Sequence, residues 1–387
     1  MRVLLDCRSV TPAMGGIGRV AAALARHVPA HLQDGEELEL LVSPRRPAGL
    51  APEGVAEVEV DSAMIDAAWE QVRLPALLEE RQVDVYHGTC FATPIVAGRA
   101  ARVATVHDVV FRRHPELVEP GLREYLDRWT RVSCAEAEAV VAVSEFSRRE
   151  IAACYGRPES AIDVVPNGVD QRFFQVTRRP APGRPYVLYV GAWEPKKNVA
   201  ALLSAFGALL RRHPALPHVL VLVGGAGGAP FDLEAAIRAV PGIGPRVHPL
   251  GRVTDEALLE LLGSADLFAY PSEYEGFGLP PLEAMAAGVP TIVSDRASLP
   301  EVVGSGALVV DPHDSERFAD AMARLLTQPG ARDPLVRRGR RRAEGFTWSD
   351  SAARLTDLYR RVHAARTKEP TAPERPTLRV LAGGGAK

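Results

Sequence analysis

Residues 266–295 read DLFAYPSEYEGFGLPPLEAMAAGVPTIVSD, which combines an apolar strand, a loop, a short helix and a second strand. Glu275 and Glu283 enclose the seven residues GFGLPPL, which include two glycines and two prolines. Pro281 suits the first turn of the helix, and Gly288 suits the position just after it. Strand, helix and strand in this order predict a parallel unit whose ligands bind beyond the carboxyl end of the strand.

The same alternation extends along most of the chain. Short apolar runs such as RVLLD (2–6), ARVATVHD (101–108) and YVLYVG (186–191) alternate with amphipathic patterns such as VAALLSAFGALLRR (199–212). This alternation is typical of helices that cover both faces of a parallel sheet. It predicts an α/β fold with two Rossmann-like, doubly wound parallel-sheet domains that face each other across a cleft.

Domain boundaries follow from shifts in composition. We place the first domain at 1–170 and the second, which would bind the nucleotide sugar inferred below, at 186–348. Residues 171–185, rich in proline and arginine, are expected to be a linker. A helix at 349–366 is expected to cross back to the first domain, and 367–387 to be a disordered tail.

The composition excludes several classes of protein. The 387 residues carry a net charge of −2, which gives no electrostatic reason to expect a nucleic-acid partner. No apolar run approaches the roughly 18 residues of a membrane span, and RVLLD (2–6) is interpreted as a buried strand rather than a signal peptide. The basic run RRGRRRAEGF (337–346) lies in a helical pattern and is interpreted as a solvated face. Cysteines far apart in the sequence, without a disulfide or zinc pattern, favour a reducing cytoplasm; these are Cys7, Cys90, Cys134 and Cys154.

The loop EGFGL (275–279) can present several backbone N–H groups next to a helix N-terminus, a combination that binds anions such as phosphate. A carboxylate beside a phosphate would repel it, so Glu275, and Glu283 in the first helical turn, are expected to face hydroxyl groups. A sugar nucleotide has hydroxyls on both sides of its diphosphate. Taken alone, either glutamate is better explained as a surface acid or a partner of the helix dipole. Together with the loop, the pair predicts a sugar-nucleotide site.

The stretch SEYEGFGLPPLEAMAAGVPTIVSD resembles the E-x7-E segment of the retaining GT-B enzymes known as the "glycosyl transferases group 1" family. Further segments match in order over residues 1–365, namely GGIGR, YHGT, TVHDVVFRRHPE, VSEFSRREI, VPNGVD, VGAWEPKKN and LGRVTDEAL. The segment VGAWEPKKN is most similar to the mannosyltransferase-like branch. The resemblance implies a GT-B fold and transfer of a hexose from a UDP- or GDP-hexose to an acceptor hydroxyl, with retention of configuration.

The resemblance also implies roles for individual residues. Lys197 lies at a helix start, where a lysine is unfavourable unless an anion sits between it and the helix, and it would bind the donor diphosphate. Glu275 would hold the donor sugar, Glu283 the ribose, and His107 would lie near the reacting sugar and the acceptor. The expected catalytic residues are therefore His107, Lys197 and Glu275. The expected donor-binding residues are Gly15, Gly16, Gly18, Lys197, Arg252, Val253, Glu275, Gly276, Phe277, Gly278, Leu279 and Glu283.

The sequence departs from the family pattern at one point. Many relatives carry an arginine directly after the glycine of the VGAWEPKKN segment, whereas Ala192 follows Gly191 here. The second phosphate-binding cation is therefore left open between Arg252 and Lys196. No D-x-D motif stands at a strand end and no cluster has metal-ligand spacing, so no metal or other cofactor is expected.

Three other functions compete with glycosyl transfer. An epimerase of the same fold would convert the sugar nucleotide without an acceptor, and a non-catalytic relative would serve as a partner subunit. The third is a dehydrogenase, because the glycines of GGIGR, read with Ala21, imitate the dinucleotide-binding fingerprint. These glycines come about ten residues after Asp6, which is too late for the tight strand-to-helix turn that a dinucleotide-binding fold needs.

The acceptor is defined only as a hydroxyl compound by these residues. The helical pattern GLREYLDRWTRVSCAEAEA (121–139) mixes both charge signs, which favours a soluble acceptor, such as a metabolite or saccharide, over a lipid. A transferase with such an acceptor is expected to act in carbohydrate or secondary-metabolite biosynthesis. The residues do not define the donor base, the acceptor or the oligomeric state.

Overall fold

The computed structural model describes residues 1–12, 14–61 and 66–368. Its strands form two sheets. The first sheet contains β1 (Arg2–Asp6), β2 (Glu37–Val42), β3 (Ala56–Glu59), β4 (Val85–Gly88), β5 (Ala101–Val106), β6 (Ala139–Ala142) and β7 (Ile162–Val164). The second sheet contains β8 (Tyr186–Val190), β9 (Val219–Val223), β10 (Val247–Gly251), β11 (Leu267–Tyr270), β12 (Thr291–Ser294) and β13 (Leu308–Val310).

Both sheets are wholly parallel and have the same topology. The strand order is β3-β2-β1-β4-β5-β6-β7 in the first and β10-β9-β8-β11-β12-β13 in the second. In each, the order reverses beside the domain's first strand, which is the Rossmann arrangement and opens a ligand crevice at the carboxyl ends of the strands. The prediction of two doubly wound parallel sheets is confirmed.

The helices flank the sheets. The first domain contains α1 (Gly16–His27), α2 (Leu74–Glu80), α3 (Val110–Arg113), α4 (Pro120–Glu136) and α5 (Glu145–Tyr155). The second half of the chain contains α6 (Gln171–Phe174), α7 (Val199–Arg212), α8 (Leu233–Arg238), α9 (Asp255–Ser264), α10 (Leu279–Ala286), α11 (Leu299–Val303), α12 (Ser315–Thr327), α13 (Pro329–Glu344) and α14 (Trp348–Lys368). No helix in the described ranges is both long enough and apolar enough to cross a membrane.

The central strands are buried on both faces, which explains why they are continuous apolar runs. Along β8, for example, the three residues Val187, Leu188 and Tyr189 have no exposed surface. Two of the four edge strands differ. Strand β3 buries only Val58 and β10 only Val247, so neither shows the apolar pattern, and both are absent from the strands predicted by sequence.

The segment 171–185 is in part attached to the second domain. Its first residues form α6, which packs against α10. Farther along, Arg178 donates to the carbonyls of Leu262 and Ala265, and the Arg179 amide donates to the Gly263 carbonyl at 2.9 Å.

The last helix returns to the first domain. The Tyr359 hydroxyl lies 2.6 Å from Nδ1 of the buried His87, and Arg360 donates to the Glu36 carboxylate at 2.8 Å. Helix α14 begins at Trp348 and ends at Lys368, one residue before and two residues beyond the predicted 349–366. The remainder of the predicted tail, 369–387, lies outside the described residues.

Candidate active site

The expected catalytic residues follow three different strands at the cleft. His107 comes directly after β5, Lys197 follows β8 in a short 3-10 turn, and Glu275 lies in the loop after β11. Strands β8 and β11 are neighbours in the second sheet. The loops that carry Lys197 and Glu275 therefore leave the same sheet edge side by side, facing the loop that carries His107.

Lys197 and Glu275 contact each other directly. Lys197 Nζ donates to Glu275 Oε1 at 2.6 Å, and both side chains are nearly buried, with 14% and 12% exposed. The same carboxylate oxygen accepts from the Tyr270 hydroxyl at 2.8 Å and lies 2.7 Å from the Ser272 hydroxyl. Lys197 also lies 3.2 Å from the Tyr270 oxygen. One carboxylate oxygen thus has three donors, all from the second domain.

The ion pair keeps both groups charged. Burial by itself would raise the pKa of Glu275, but Lys197, then Lys196, and hydrogen bonds from Lys197 and Ser272 leave that pKa below its ordinary value. Burial likewise opposes the charge of Lys197, but the Glu275 carboxylate raises its pKa above the usual range. The site therefore holds a preformed ammonium–carboxylate pair in which Glu275, ionised and already paired, is a weak proton acceptor.

Helix α7 is capped beside this pair. Asn198 adopts a left-handed conformation at φ +52°, and its side chain accepts the Ala201 N–H at 3.3 Å. The Asn198 amide also donates to Glu273, while the Lys196 carbonyl accepts the Glu273 N–H at 2.8 Å. These bonds join the two loops and hold Lys197 toward Glu275.

The glycine-rich loop leaves amide groups without partners. In the described part of the chain, no hydrogen bond involves the N–H groups of residues 276–279, and Pro280 and Pro281 carry none. These amides lie at the N-terminus of α10, where partial positive charge accumulates. The arrangement agrees with the anion site expected from EGFGL.

Two members of that loop have a packing role. Gly278 has φ +106°, and a Cβ there would come within 2.6 Å of a Leu299 methyl carbon. The Phe277 ring is 5% exposed and packs edge-on against Phe346 at 5.6 Å. Phe277 can therefore reach a donor through its backbone but not through its ring.

Glu283 lies in the second turn of α10, so its predicted position in the first turn is wrong. The helix begins at Leu279, two residues before Pro281, because Gly278 supplies the left-handed start. Burial raises the pKa of Glu283 to about 7, with Arg19 opposing the shift and Asp255 adding to it. Asp170 also raises this pKa and Arg172 lowers it. At neutral pH its carboxyl is close to half protonated.

His107 and Gly276 bring the two domains into contact. A Cβ on Gly276 would come 1.9 Å from the carbonyl oxygen of His107, so the two backbones touch. Nε2 of His107 donates to the Thr89 carbonyl at 2.8 Å, which leaves Nδ1 as an acceptor in the neutral ring. Burial lowers the pKa of His107, which keeps the ring neutral.

The remaining predicted donor-binding residues surround the pair. A Cβ on Gly15 or Gly16 would meet no atom within 4 Å, whereas one on Gly18 would lie 2.5 Å from the Ser9 carbonyl oxygen. Space for a ligand therefore exists at the first two glycines, while Gly18 is required by packing. Arg252 is exposed and lies against Gly225, and Val253 is partly buried on the second-domain core. Lys196 lies 3.6 Å from Glu194.

Sequence reasoning did not identify several residues that connect the domains here. Arg19, next to Gly18, donates to Asp255 at 2.7 Å. The others are Ser144, Ser147, Tyr274 and Glu301, which contact the opposite domain through hydrogen bonds or ring packing. The motifs GGIGR and VSEFSRREI drew attention to some of them, but no local pattern names a partner in the other domain.

A metal site needs several oxygen, nitrogen or sulfur ligands close together. Over 1–12, 14–61 and 66–368, no three His, Cys, Asp or Glu side chains come together as a metal site would require. A buried cation beside the loop after β11 is the Lys197 ammonium, which is paired with Glu275 and whose side chain is 14% exposed.

Comparison with known proteins identifies the family of this chain. The family model "Glycosyl transferases group 1" matches residues 170–342, and "Glycosyltransferase Family 4" matches 14–173. O-antigen chain mannosyltransferase B of Escherichia coli is 33% identical over 288 residues, 71% of this chain and 74% of that one. D-inositol 3-phosphate glycosyltransferase of Nocardia farcinica is 34% identical over 279 residues, 67% of this chain and 61% of that one.

Solved structures share the overall architecture. Sucrose-phosphate synthase from Thermosynechococcus elongatus superimposes with a TM-score of 0.73 at 21% identity, over 94% of this chain and 99% of that one. The Anabaena protein HepE in complex with UDP-glucose superimposes with a TM-score of 0.70 at 18% identity, over 93% of this chain and all of that one (100%). These similarities establish the GT-B fold. With the two family models and the mannosyltransferase relative, they show that the chain belongs to the glycosyl transferases group 1 family.

Proposed function

We propose that this glycosyltransferase moves a hexose from a UDP- or GDP-hexose to the hydroxyl of a small-molecule, saccharide or glycan acceptor, with retention of configuration and without a metal. The observation that carries the proposal is the buried Lys197–Glu275 pair beside the unpaired amides of residues 276–279. Names of similar proteins support the same class of donor and product, since one is a mannosyltransferase and another holds UDP-glucose.

In the proposed mechanism the donor diphosphate takes Lys197 as its counter-ion. The ammonium and the unpaired amides of the loop at 276–279 then offset the charge that develops on the leaving group. Glu275, with one oxygen held by Tyr270 and Ser272, accepts hydrogen bonds from the sugar hydroxyls. Lys197 is a fixed cation at the place where a metal would otherwise act, which is why we propose metal independence.

We propose retention because Glu275 and His107, the groups assigned to the reacting sugar, suit contacts with its hydroxyls better than the role of a base. An inverting enzyme needs a proton acceptor behind the anomeric carbon. Glu275 is ionised but paired with Lys197, and we assign Nδ1 of His107, the ring nitrogen left as an acceptor, to a hydrogen bond from a sugar hydroxyl rather than to deprotonation of the acceptor. We propose that the acceptor attacks from the face of the departing diphosphate. The new glycosidic bond forms as the sugar–phosphate bond breaks, and a phosphate oxygen takes the acceptor proton.

A soluble acceptor and a cytoplasmic location are part of the proposal. Of the three arginines of helix α4, Arg128 and Arg131 lie within 3.5 Å of Glu124 and Asp127 respectively, so two of its basic residues are paired along its own surface. This pairing leaves little uncompensated positive charge to attract an anionic lipid surface. The described chain has four free cysteines, as suits a reducing compartment.

A donor screen tests the proposed function. The protein should be stabilised in thermal-shift measurements by one of a set of UDP-, GDP- and dTDP-sugars, and the best donor should then glycosylate a hydroxyl compound in an acceptor panel. Turnover should be unchanged in excess EDTA. Conversion of the sugar nucleotide without any acceptor would favour the epimerase alternative, and a strict requirement for Mg²⁺ or Mn²⁺ would contradict metal independence.

The pKa of Glu283 leads to a pH-dependent prediction. If the ionised carboxylate accepts hydrogen bonds from the donor ribose, affinity should follow the ionised fraction, because only that form is competent. With a pKa of about 7, donor affinity should be about tenfold weaker near pH 6 than near pH 8. Isothermal titration calorimetry with the best donor measures this, and Glu283→Gln should bind more weakly with a flat profile.

A stability measurement provides the control for Glu283. Its folded pKa lies above its unfolded value, so the native state binds this proton more tightly, and the free energy of unfolding falls as pH rises from about 4.5 through about 7. The Glu283→Gln variant has no carboxyl to ionise here, so its free energy of unfolding does not fall in this way. Its Tm should therefore exceed that of the wild type above about pH 7. A pH-independent affinity in the wild type, together with an unchanged Tm in Glu283→Gln, would contradict both expectations.

A further inference from the structure

Glu275 is held by one domain, while its chain neighbours are held by the other. All three donors to its carboxylate, Lys197, Tyr270 and Ser272, belong to the second domain. Ser298, also in that domain, donates to the Glu275 carbonyl at 2.9 Å. The residues before and after Glu275 instead contact the first domain.

Tyr274 inserts into the first domain. Its ring packs edge-on against His114 at 5.4 Å and against Phe146 at 5.6 Å, and its hydroxyl lies 3.3 Å from the Glu150 carboxylate. Tyr274 is only 4% exposed and belongs to an apolar cluster that is otherwise almost wholly first-domain. The residue before Glu275 is therefore an aromatic anchor in the opposite domain.

Gly276 is held through its carbonyl. The Ser144 hydroxyl donates to this oxygen at 2.7 Å, and the Ser147 hydroxyl lies 3.1 Å from it and 3.0 Å from the His107 carbonyl. Both serines are 1% exposed. Two fully buried hydroxyls at a domain boundary require partners. Here the partners are the backbone of His107 and the backbone of residues 271–278, the loop between β11 and α10, which we call the donor loop.

The same end of α5 receives a second contact from the other domain. The carboxylate of Glu301 accepts the N–H groups of Glu145 and Phe146, each at 2.8 Å. Within the described chain these two amides have no other partner, so the cap of α5 is completed by the second domain. The contact between α5 and the Glu275 loop is thus part of a built interface.

We infer that Ser144, Ser147 and Tyr274 are positioning residues, through which the first domain holds the chain on both sides of Glu275. The second-domain donors orient the carboxylate of Glu275, and holding both of its neighbours in addition fixes the place of this residue relative to His107 in the first domain. The segment VSEFSRREI thereby acquires a function as the receptor for the donor loop. This inference rests on the proposed transfer reaction, in which Glu275 contacts the donor sugar.

Ser147→Ala is the cleanest test. Ser147 lies inside the first turn of α5, where alanine favours the helix, so the change removes a hydroxyl without weakening the element. Loss of one positioning hydrogen bond should lower kcat by about tenfold. Donor Kd, measured by calorimetry, should change less than about twofold, because the donor's own contacts persist. Tyr274→Ala should likewise lower kcat while leaving donor Kd nearly unchanged, and its fall in kcat should be larger.

Two further variants separate positioning from folding. Ser144→Thr keeps the hydroxyl and the helix cap and should have wild-type kcat, whereas Ser144→Ala should not. Ser133→Ala removes a buried serine of α4 that accepts the Thr93 N–H at 2.9 Å and that, among the described residues, has no hydrogen bond to residues 274–276. This variant should lose thermal stability but keep its kcat.

The outcomes distinguish this inference from the proposed function. A wild-type protein that transfers no sugar from any donor would overturn both. An active wild type whose kcat is unchanged in both Ser147→Ala and Tyr274→Ala would overturn the positioning role alone. So would a loss confined to donor Kd, which would indicate direct donor contact, or an equal kcat loss in Ser133→Ala, which would indicate a general effect of packing.

Discussion

Lys197→Ala and Glu275→Gln are each expected to lower transfer by roughly 10²–10³-fold, the usual cost of removing one preorganised electrostatic group. Lys197 would be the main cation at the leaving diphosphate, and Glu275 the acid that holds the sugar. Because the two side chains form one pair at 2.6 Å, their effects should not multiply. The double variant is expected to be little slower than the worse single one. Steady-state kinetics with the identified donor measures the transfer rates of the two single variants and of the double variant.

Folding must be controlled in this experiment. Both side chains are nearly buried, with 14% and 12% exposed, and removing one partner of a buried pair costs roughly 3–5 kcal/mol of stability. The Tm of each variant therefore has to be measured with its rate. Arg211→Ala, which removes an exposed cation at the other end of α7, is the comparison and should leave the rate unchanged. Near wild-type turnover in folded Lys197→Ala and Glu275→Gln would refute the site.

Gly276→Ala is the second change for which a large effect is expected. The added Cβ would lie 1.9 Å from the His107 carbonyl oxygen and 2.8 Å from its carbon. Both atoms are backbone and cannot move aside, so the Glu275 loop or the whole domain must shift by about 1 Å or more. A misplacement of that size costs about 10²-fold in rate. Since the clash lies at the domain interface, each domain should still fold.

A glycine elsewhere provides the comparison for this variant. Gly330, in α13, would gain a Cβ that meets nothing within 4 Å, so Gly330→Ala should keep full activity. Small-angle X-ray scattering of Gly276→Ala should show a more open molecule than the wild type. Full activity in Gly276→Ala would mean that the contact between Gly276 and His107 is not needed for transfer.

The fold could be predicted from sequence wherever strands are buried on both faces. Such strands are continuous apolar runs, as in YVLYVG, and the helices between them are amphipathic. Two of the four edge strands, β3 and β10, could not be predicted in this way. In β3, only Val58 faces the core, and its neighbours Glu57 and Glu59 face solvent, so the segment resembles a polar loop.

The sequence predicts individual residues of the candidate site but not their arrangement. The motifs around Lys197 and Glu275 indicated their chemistry, yet these residues are 78 positions apart, and their contact depends on β8 and β11 being neighbours. The anchoring of Tyr274 was beyond prediction for a similar reason. An aromatic residue in a loop has the same local pattern whether it packs on its own domain or on the other one.

The central claim is retaining transfer from a nucleotide sugar at the Lys197–Glu275 site, and the anomeric configuration of the first product tests it most directly. Proton NMR of the glycoside distinguishes the two anomers by the coupling of the anomeric proton in a gluco- or galacto-configured sugar, or by the one-bond carbon–proton coupling in a manno-configured one. From an α-linked donor we expect an α-linked product, and its formation should be lost in Glu275→Gln. A β-linked product would contradict the mechanism and the arrangement of the site on which it rests.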